Sequence, residues 1–170
     1  ERRLLPHKPV SWDGATAILL TSPATVNFLR LHALPPNKCI VACVGARTAS
    51  AATNVGFNPD IVGAGTSVSC IEEMSLSDED IVYFPGPARP NPTTLAALET
   101  TGARVRHIPV YETASPAELP TQLQALASFD LLVFASPSAV VHWREAGGPL
   151  GRVVSIGPTT TQSAHTQGFS

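Results

Sequence analysis

The chain writes one phrase twice. VGARTASAATNVGF, from Val44 to Phe57, and IGPTTTQSAHTQGF, from Ile156 to Phe169, both begin with an apolar residue and glycine, carry threonine three places after that glycine, and close on Gly-Phe. Upstream of the first lies ILLTSPATVNFL (18–29), and upstream of the second LVFASPSAVVHW (132–143). Each is an apolar strand, then Ser-Pro, then a helical pattern. Ser22 precedes Gly45 by 23 residues and Ser136 precedes Gly157 by 21, so both motifs recur in the same order at nearly the same spacing. A duplicated strand–helix–strand–helix unit accounts for this, and it implies two related lobes.

Around the duplication, short apolar runs rich in β-branched residues alternate with helical patterns. Strands are expected at 17–21, 39–44, 60–63, 80–84, 104–110, 130–135 and 152–156, and helices at 24–33, 47–55, 66–74, 92–102, 116–127, 138–146 and 159–167. Several strands are almost continuously apolar, as parallel strands covered on both faces are. The alternation predicts an α/β fold with open, mostly parallel sheets and right-handed crossovers. The first lobe holds five such strands; the second holds two after residue 130 and is expected to be partial over these residues.

Composition excludes several classes. A net charge of −2 and a pI near 6.2 leave no basic footprint for nucleic acid. No apolar run approaches the ~20 residues of a membrane span, and no signal peptide is visible. Cys39, Cys43 and Cys70 are odd in number and lack C-x-x-C spacing, which favours buried free thiols and an intracellular, reducing compartment over disulfides or zinc. The five histidines show no metal-binding spacing. Neither G-x-S-x-G nor G-x-G-x-x-G is present, so neither a hydrolase nucleophile nor a dinucleotide is signalled.

The repeated phrases fall where an open α/β sheet binds ligands, outside the carboxyl ends of its strands. In T-S-P-A and A-S-P-S the serine is placed to cap a helix whose first residue is proline. In G-A-R-T and G-P-T-T the glycine is expected to permit a tight turn, with hydroxyls facing the first helical N–H groups. Each is a potential anion seat. One capped helix needs no ligand, but four seats paired across two lobes suit a large ligand with several negative groups. The loop FPGPARPNP (84–92) follows a strand and offers Gly86 for close backbone approach and Arg89 for carboxylate, or else is a stiff turn with a solvated arginine. Tyr111, in IPVYET, is expected just after the first lobe's last strand, either as a proton donor at the cleft or as packing at a strand end.

In order, ILLTSPATV, VGARTASAATNVGF, IVYFPGPARPNPTTLAALETTGARVRHIPVYET, LLVFASPSAV and IGPTTTQSAHTQGF resemble the uroporphyrinogen-III synthase family over roughly residues 17 to 170. The resemblance implies two flavodoxin-like parallel-sheet lobes joined by a two-stranded linker. It implies a lyase of haem biosynthesis that cyclises the linear tetrapyrrole hydroxymethylbilane to uroporphyrinogen III, inverting the last pyrrole ring and losing water, without metal or organic cofactor. Carried over by residue, it makes Tyr111 the proton donor to the departing hydroxyl. Ser22, Thr48, Gly86, Ser136, Ser138, Thr159 and Thr160 become substrate-binding positions, with Thr48 and Thr159 as lips of one cleft. FPGPARPNP is more proline-rich than the family's loop, which leaves the part of Arg89, like that of Arg47, open.

The resulting expectation divides the chain into a first linker strand (1–11), a first α/β lobe (12–109), a second linker strand (110–114) and a partial second lobe (115–170). The protein is expected to be a cytoplasmic monomer acting on a small-molecule tetrapyrrole, with no nucleic-acid or membrane partner. Two other readings differ in class: a non-catalytic, two-lobe polyanion-binding or regulatory module, and a phosphosugar-binding protein, which leaves the matched lobes unexplained.

Overall fold

The computed structural model describes residues 2–5, 10–30, 38–126 and 128–169. Glu1 and residues 6–9 of the expected first linker strand, residues 31–33 of the expected first helix, and position 127 lie outside them. Two compact units divide the chain, Arg2–Glu112 and Thr113–Ser170.

The first unit is built on a sheet of six strands. These are β1 (Arg2–Leu4), β2 (Ala17–Leu20), β3 (Ile40–Cys43), β4 (Ile61–Val62), β5 (Ile81–Pro87) and β6 (Arg104–Thr113), in the spatial order β1-β6-β5-β2-β3-β4. From β6 to β4 every pairing is parallel. Its helices are α1 (Pro23–Leu29), α2 (Ala46–Asn54), α3 (Ser67–Glu73) and α4 (Pro92–Thr100). Strand alternation sorts the core into two layers. Ile18, Leu20, Val41 and Cys43 point toward α1 and α2, while Ala17, Leu19, Ala42, Val82 and Phe84 point toward α3 and α4. Both faces are buried, which is why these strands read as unbroken apolar runs.

The chain starts this parallel sheet in its middle. From β2 it moves through β3 to β4 on one side, then returns to lay β5 and β6 on the other. A flavodoxin sheet instead has one strand on one side of the first and three on the other; the doubly wound layering is shared.

Two strands run further than their sequence suggests. Pro109 sits inside β6 opposite Gly86, and proline has no N–H to give the ladder. The register shifts between Gly86 and Pro87, so that Pro87 falls opposite Tyr111. This bulge lets β6 continue as one strand to Thr113 and lets β5 take in the first four residues of FPGPARPNP. Tyr111 therefore lies within β6, not after it.

The second unit contains α5 (Leu119–Gln124), β7 (Leu132–Phe134), α6 (Pro137–Glu145), β8 (Val153–Ser155) and α7 (Pro158–Thr166). β7 and β8 pair in parallel, with Leu132 opposite Val153 and Phe134 opposite Ser155. Their core joins Leu132 and Phe134 to Val140, Ala164 and Phe169, with Trp143 and Phe129 packed alongside. The rings of Phe134 and Phe169 meet edge to face at 5.4 Å.

The duplication is exact in its capping chemistry. Ser22 and Ser136 are both extended N-caps whose side chains accept from the backbone N–H three residues on, at 3.3 Å in each case, and proline follows both. The closing Gly-Phe has its own physical cause. Gly56 (φ 93) and Gly168 (φ 87) take the left-handed conformation that ends α2 and α7, where a Cβ is costly. Phe57 and Phe169 then turn back, donating N–H to Ala52 and Ala164 at 3.0 Å and burying their rings.

Candidate functional site

In the first unit, succession along the sheet reverses between β2 and β5, and ligands of open α/β sheets bind outside the carboxyl ends of the strands at such a point. Ser22 follows β2 there, Gly86 and Pro87 close β5, and Tyr111 stands near the end of β6, the next strand. The hydroxyls of Ser22 and Tyr111 are 3.5 Å apart although 89 positions separate them in the chain. Tyr111 is 7% exposed, so little besides its edge reaches solvent.

Two further features hold this tyrosine. The guanidinium of Arg2, on β1, lies over its ring, 5.8 Å from the centroid. Its backbone carbonyl accepts the N–H of Ala88 at 2.7 Å, tying β6 to the bulge. Arg3, next to Arg2, is instead paired with Glu112. Behind the bulge, His107 Nε2 donates to the Pro87 carbonyl at 3.1 Å, and its ring packs on Phe84 with centroids 5.4 Å apart. Burial holds the His107 pKa below its usual value, partly opposed by that hydrogen bond. Gly86 is buried against the same ring: a Cβ there would come within 3.3 Å of Phe84, which would have to give way. Arg89 is exposed two residues beyond the bulge.

α2 begins beside α1, on the same face of the sheet. Its N-cap is Gly45, which supplies no side-chain acceptor, so the N–H groups of Ala46 and Arg47 have no intrahelical partner. Thr48 is 5% exposed, with its N–H bonded to the Gly45 carbonyl at 2.9 Å. The second unit repeats the arrangement. Ser136 Oγ lies 3.2 Å from Ser138 Oγ at the start of α6, and Gly157 caps α7 without a side-chain bond. Thr159 is exposed there and Thr160 is buried at 3%.

The glycines of G-A-R-T and G-P-T-T do not make the tight turn expected of them. Gly45 (φ −166) and Gly157 (φ −178) are extended, a conformation any residue adopts. A Cβ on Gly157 would meet nothing within 4 Å, and one on Gly45 only Gly65 at ordinary contact distance. What glycine provides at both positions is a helix start without a side-chain cap, so that the N–H groups of Ala46 and Arg47 in α2 and of Thr159 in α7 donate no hydrogen bond to a cap side chain.

The sequence model described as uroporphyrinogen-III synthase HemD matches residues 2–170. The chain belongs to the uroporphyrinogen-III synthase family. It is a cyclising lyase of tetrapyrrole biosynthesis, which turns hydroxymethylbilane into uroporphyrinogen III. Solved structures agree on the fold. A mutant uroporphyrinogen III synthase from Thermus thermophilus superposes with a TM-score of 0.66 at 23% identity, covering 93% of this chain and 71% of that one. The uroporphyrinogen-III synthetase of Helicobacter pylori gives a TM-score of 0.68 at 17% identity, over 99% and 80% of the two chains. Comparison with curated proteins gives no match.

For a uroporphyrinogen-III synthase the placement of the expected residues is informative. Ser22 and Tyr111 are brought into contact, Gly86 is joined to Tyr111 through the bulge, and Thr48 starts the neighbouring helix of the same unit. Ser136, Ser138, Thr159 and Thr160 belong to the other unit, where α6 and α7 pack together through Ser163 Oγ donating to the Pro137 carbonyl at 3.2 Å. Sequence reasoning did not single out Arg2, Thr25 or His107. The signal that would have found His107 is its register opposite Phe84, which depends on pairing between distant segments.

The three cysteines are buried and free; burial pushes Cys39 to about 11 and Cys43 to about 12, so they are thiols and not nucleophiles near neutrality. Among the described residues, no group of three or more His, Cys, Asp or Glu is placed to hold a metal ion, and no helix is long and apolar enough to cross a membrane.

Proposed function

We propose that Tyr111 is the acid of the cyclisation and that helix starts in each unit seat the substrate's carboxylates. The observation that carries this reading is the Tyr111 hydroxyl, held against Ser22 at the point where the sheet reverses, on an otherwise buried ring. A phenol so placed donates its proton to the departing hydroxyl. The C–O bond breaks with its electron pair on oxygen, which leaves as water, and the pyrrole nitrogen's electrons stabilise the cation that remains. Attack by the substituted carbon of the last ring gives a spiro intermediate that opens and recloses inverted. The proton released on closure restores the phenol.

Hydroxymethylbilane is a polyanion, and the chain is not basic. Short-range donors therefore carry its recognition. In the first unit these are the N–H groups of Ala46 and Arg47 beside Thr48, the backbone at Gly86, and the guanidinia of Arg47 and Arg89. In the second they are Ser136 and Ser138 and the N–H and hydroxyl of Thr159, with Thr160 beneath. The protein's task is to fold the substrate so that inverted closure outruns direct closure.

We read residues 1–11 and 110–114 as linker strands; β1 beside the far end of β6, with Leu5 N–H donating to the Val110 carbonyl at 3.1 Å, supports this. Free buried thiols support a cytoplasmic location, and we take the protein to act as a monomer. Tyr111→Phe tests the central assignment. It keeps the buried ring under Arg2 and removes only the hydroxyl, so kcat should fall by about 10²-fold or more with KM little changed. An unchanged kcat would remove Tyr111 from the chemistry.

A further inference from the structure

Ser22 makes more contacts than a helix cap requires. Its Oγ accepts the N–H of Thr25 at 3.3 Å, and the Thr25 hydroxyl lies 3.2 Å from the same atom. Thr25 is fully buried, and among the described residues no buried side-chain nitrogen or oxygen lacks a partner. A buried hydroxyl has to give its proton to an acceptor, and the partner shown for Thr25 Oγ1 is Ser22 Oγ. Either hydroxyl of this pair could donate; we assign Thr25 as the donor because its buried Oγ1 has Ser22 Oγ as its partner, and the N–H and O–H of Thr25 then occupy both lone-pair directions of Ser22 Oγ. Ser22's own proton is left with Tyr111 as its target, 3.5 Å away. That distance is long for an O–H···O bond, but catalytic hydrogen bonds tighten once substrate is held.

We propose that Ser22 is a positioning residue that acts through Tyr111, with Thr25 setting the direction of the hydrogen bonds. Ser22 donates to the phenol oxygen, which turns the phenol's own proton toward the substrate. When that proton passes to the departing hydroxyl and leaves as part of water, Tyr111 is left as phenolate, and the same Ser22 proton stabilises the new charge. The chain Thr25 → Ser22 → Tyr111 thus favours the one direction of proton transfer the reaction needs. This rests on Tyr111 being the acid, and it gives Ser22 a role other than seating a carboxylate.

The test is Ser22→Ala made both in the natural sequence and in Tyr111→Phe, following formation of the type III isomer from hydroxymethylbilane. In the natural background kcat should fall by about tenfold or more with KM within about twofold, while in Tyr111→Phe the same change should cost no further kcat. Ser22→Thr should restore kcat. Ser22→Asp keeps the cap but has no proton to donate, so it should lower kcat with thermal stability retained. Equal losses of kcat in both backgrounds would overturn the proposal, as would a raised KM with kcat kept, which is the behaviour of a substrate seat. The reading of Tyr111 itself is judged separately, by Tyr111→Phe alone.

Discussion

At the residue scale, the site depends on side chains whose partners come from far along the chain. Tyr111 is recognisable in IPVYET as a phenol near a strand end, but its contact with Ser22, 89 positions away, is a product of the sheet. His107 makes the same point and gives a pH-dependent signature. Its pKa is lowered in the folded protein, chiefly by burial, so between that value and the unfolded value near 6.5 the unfolded chain binds more protons. Stability therefore rises with pH through this window and is lost as pH falls below about 6.5. His107→Gln can keep the hydrogen bond to the Pro87 carbonyl without titrating. Denaturant unfolding from about pH 7 to 5 should show a shallower loss in the variant than in the natural sequence; identical slopes would mean that His107 is not held neutral.

At the element scale, nearly every strand and helix was legible, because their ends are marked by local chemistry. Ser-Pro starts α1 and α6, and Gly-Phe closes α2 and α7 through a left-handed glycine and a buried ring. The run from Phe84 to Pro87 and the end of β6 were not legible. Prolines there read as breakers, whereas the structure absorbs them in a bulge that exists only once β5 and β6 pair. The two kinds of glycine in the repeat separate in experiment. Gly168→Ala places a Cβ at φ 87 and should cost about 1–2 kcal/mol in unfolding free energy. Gly157→Ser faces no steric or torsional barrier and supplies a cap, so stability should be kept or raised by a few tenths of a kcal/mol. Its hydroxyl would, however, claim the N–H groups proposed for a carboxylate, and KM should rise several-fold. If Gly157→Ser lowered stability and left KM alone, glycine would be there for the fold and not for the substrate.

At the scale of the whole molecule, the duplication explains what the chain has to work with. Two units each present a Ser-Pro helix start and a Gly helix start after adjacent parallel strands, and only the first also carries the tyrosine. The anion seats proposed for each unit, with the single acid proposed in the first, suit an enzyme that mainly holds a long polyanion and protonates it at one place. The α/β class and the pairing of motifs could be read from strand–helix rhythm and repeat, and the family from the resemblance of the ordered motifs. The reversal of strand order that puts Ser22, Gly86 and Tyr111 together could not, since it is set by which strands pair. The most direct test of the account is isomer analysis of the product formed from hydroxymethylbilane. The account predicts uroporphyrinogen III, with the last ring inverted, in excess over the uninverted isomer. Only the uninverted isomer, at the rate seen without protein, would contradict it.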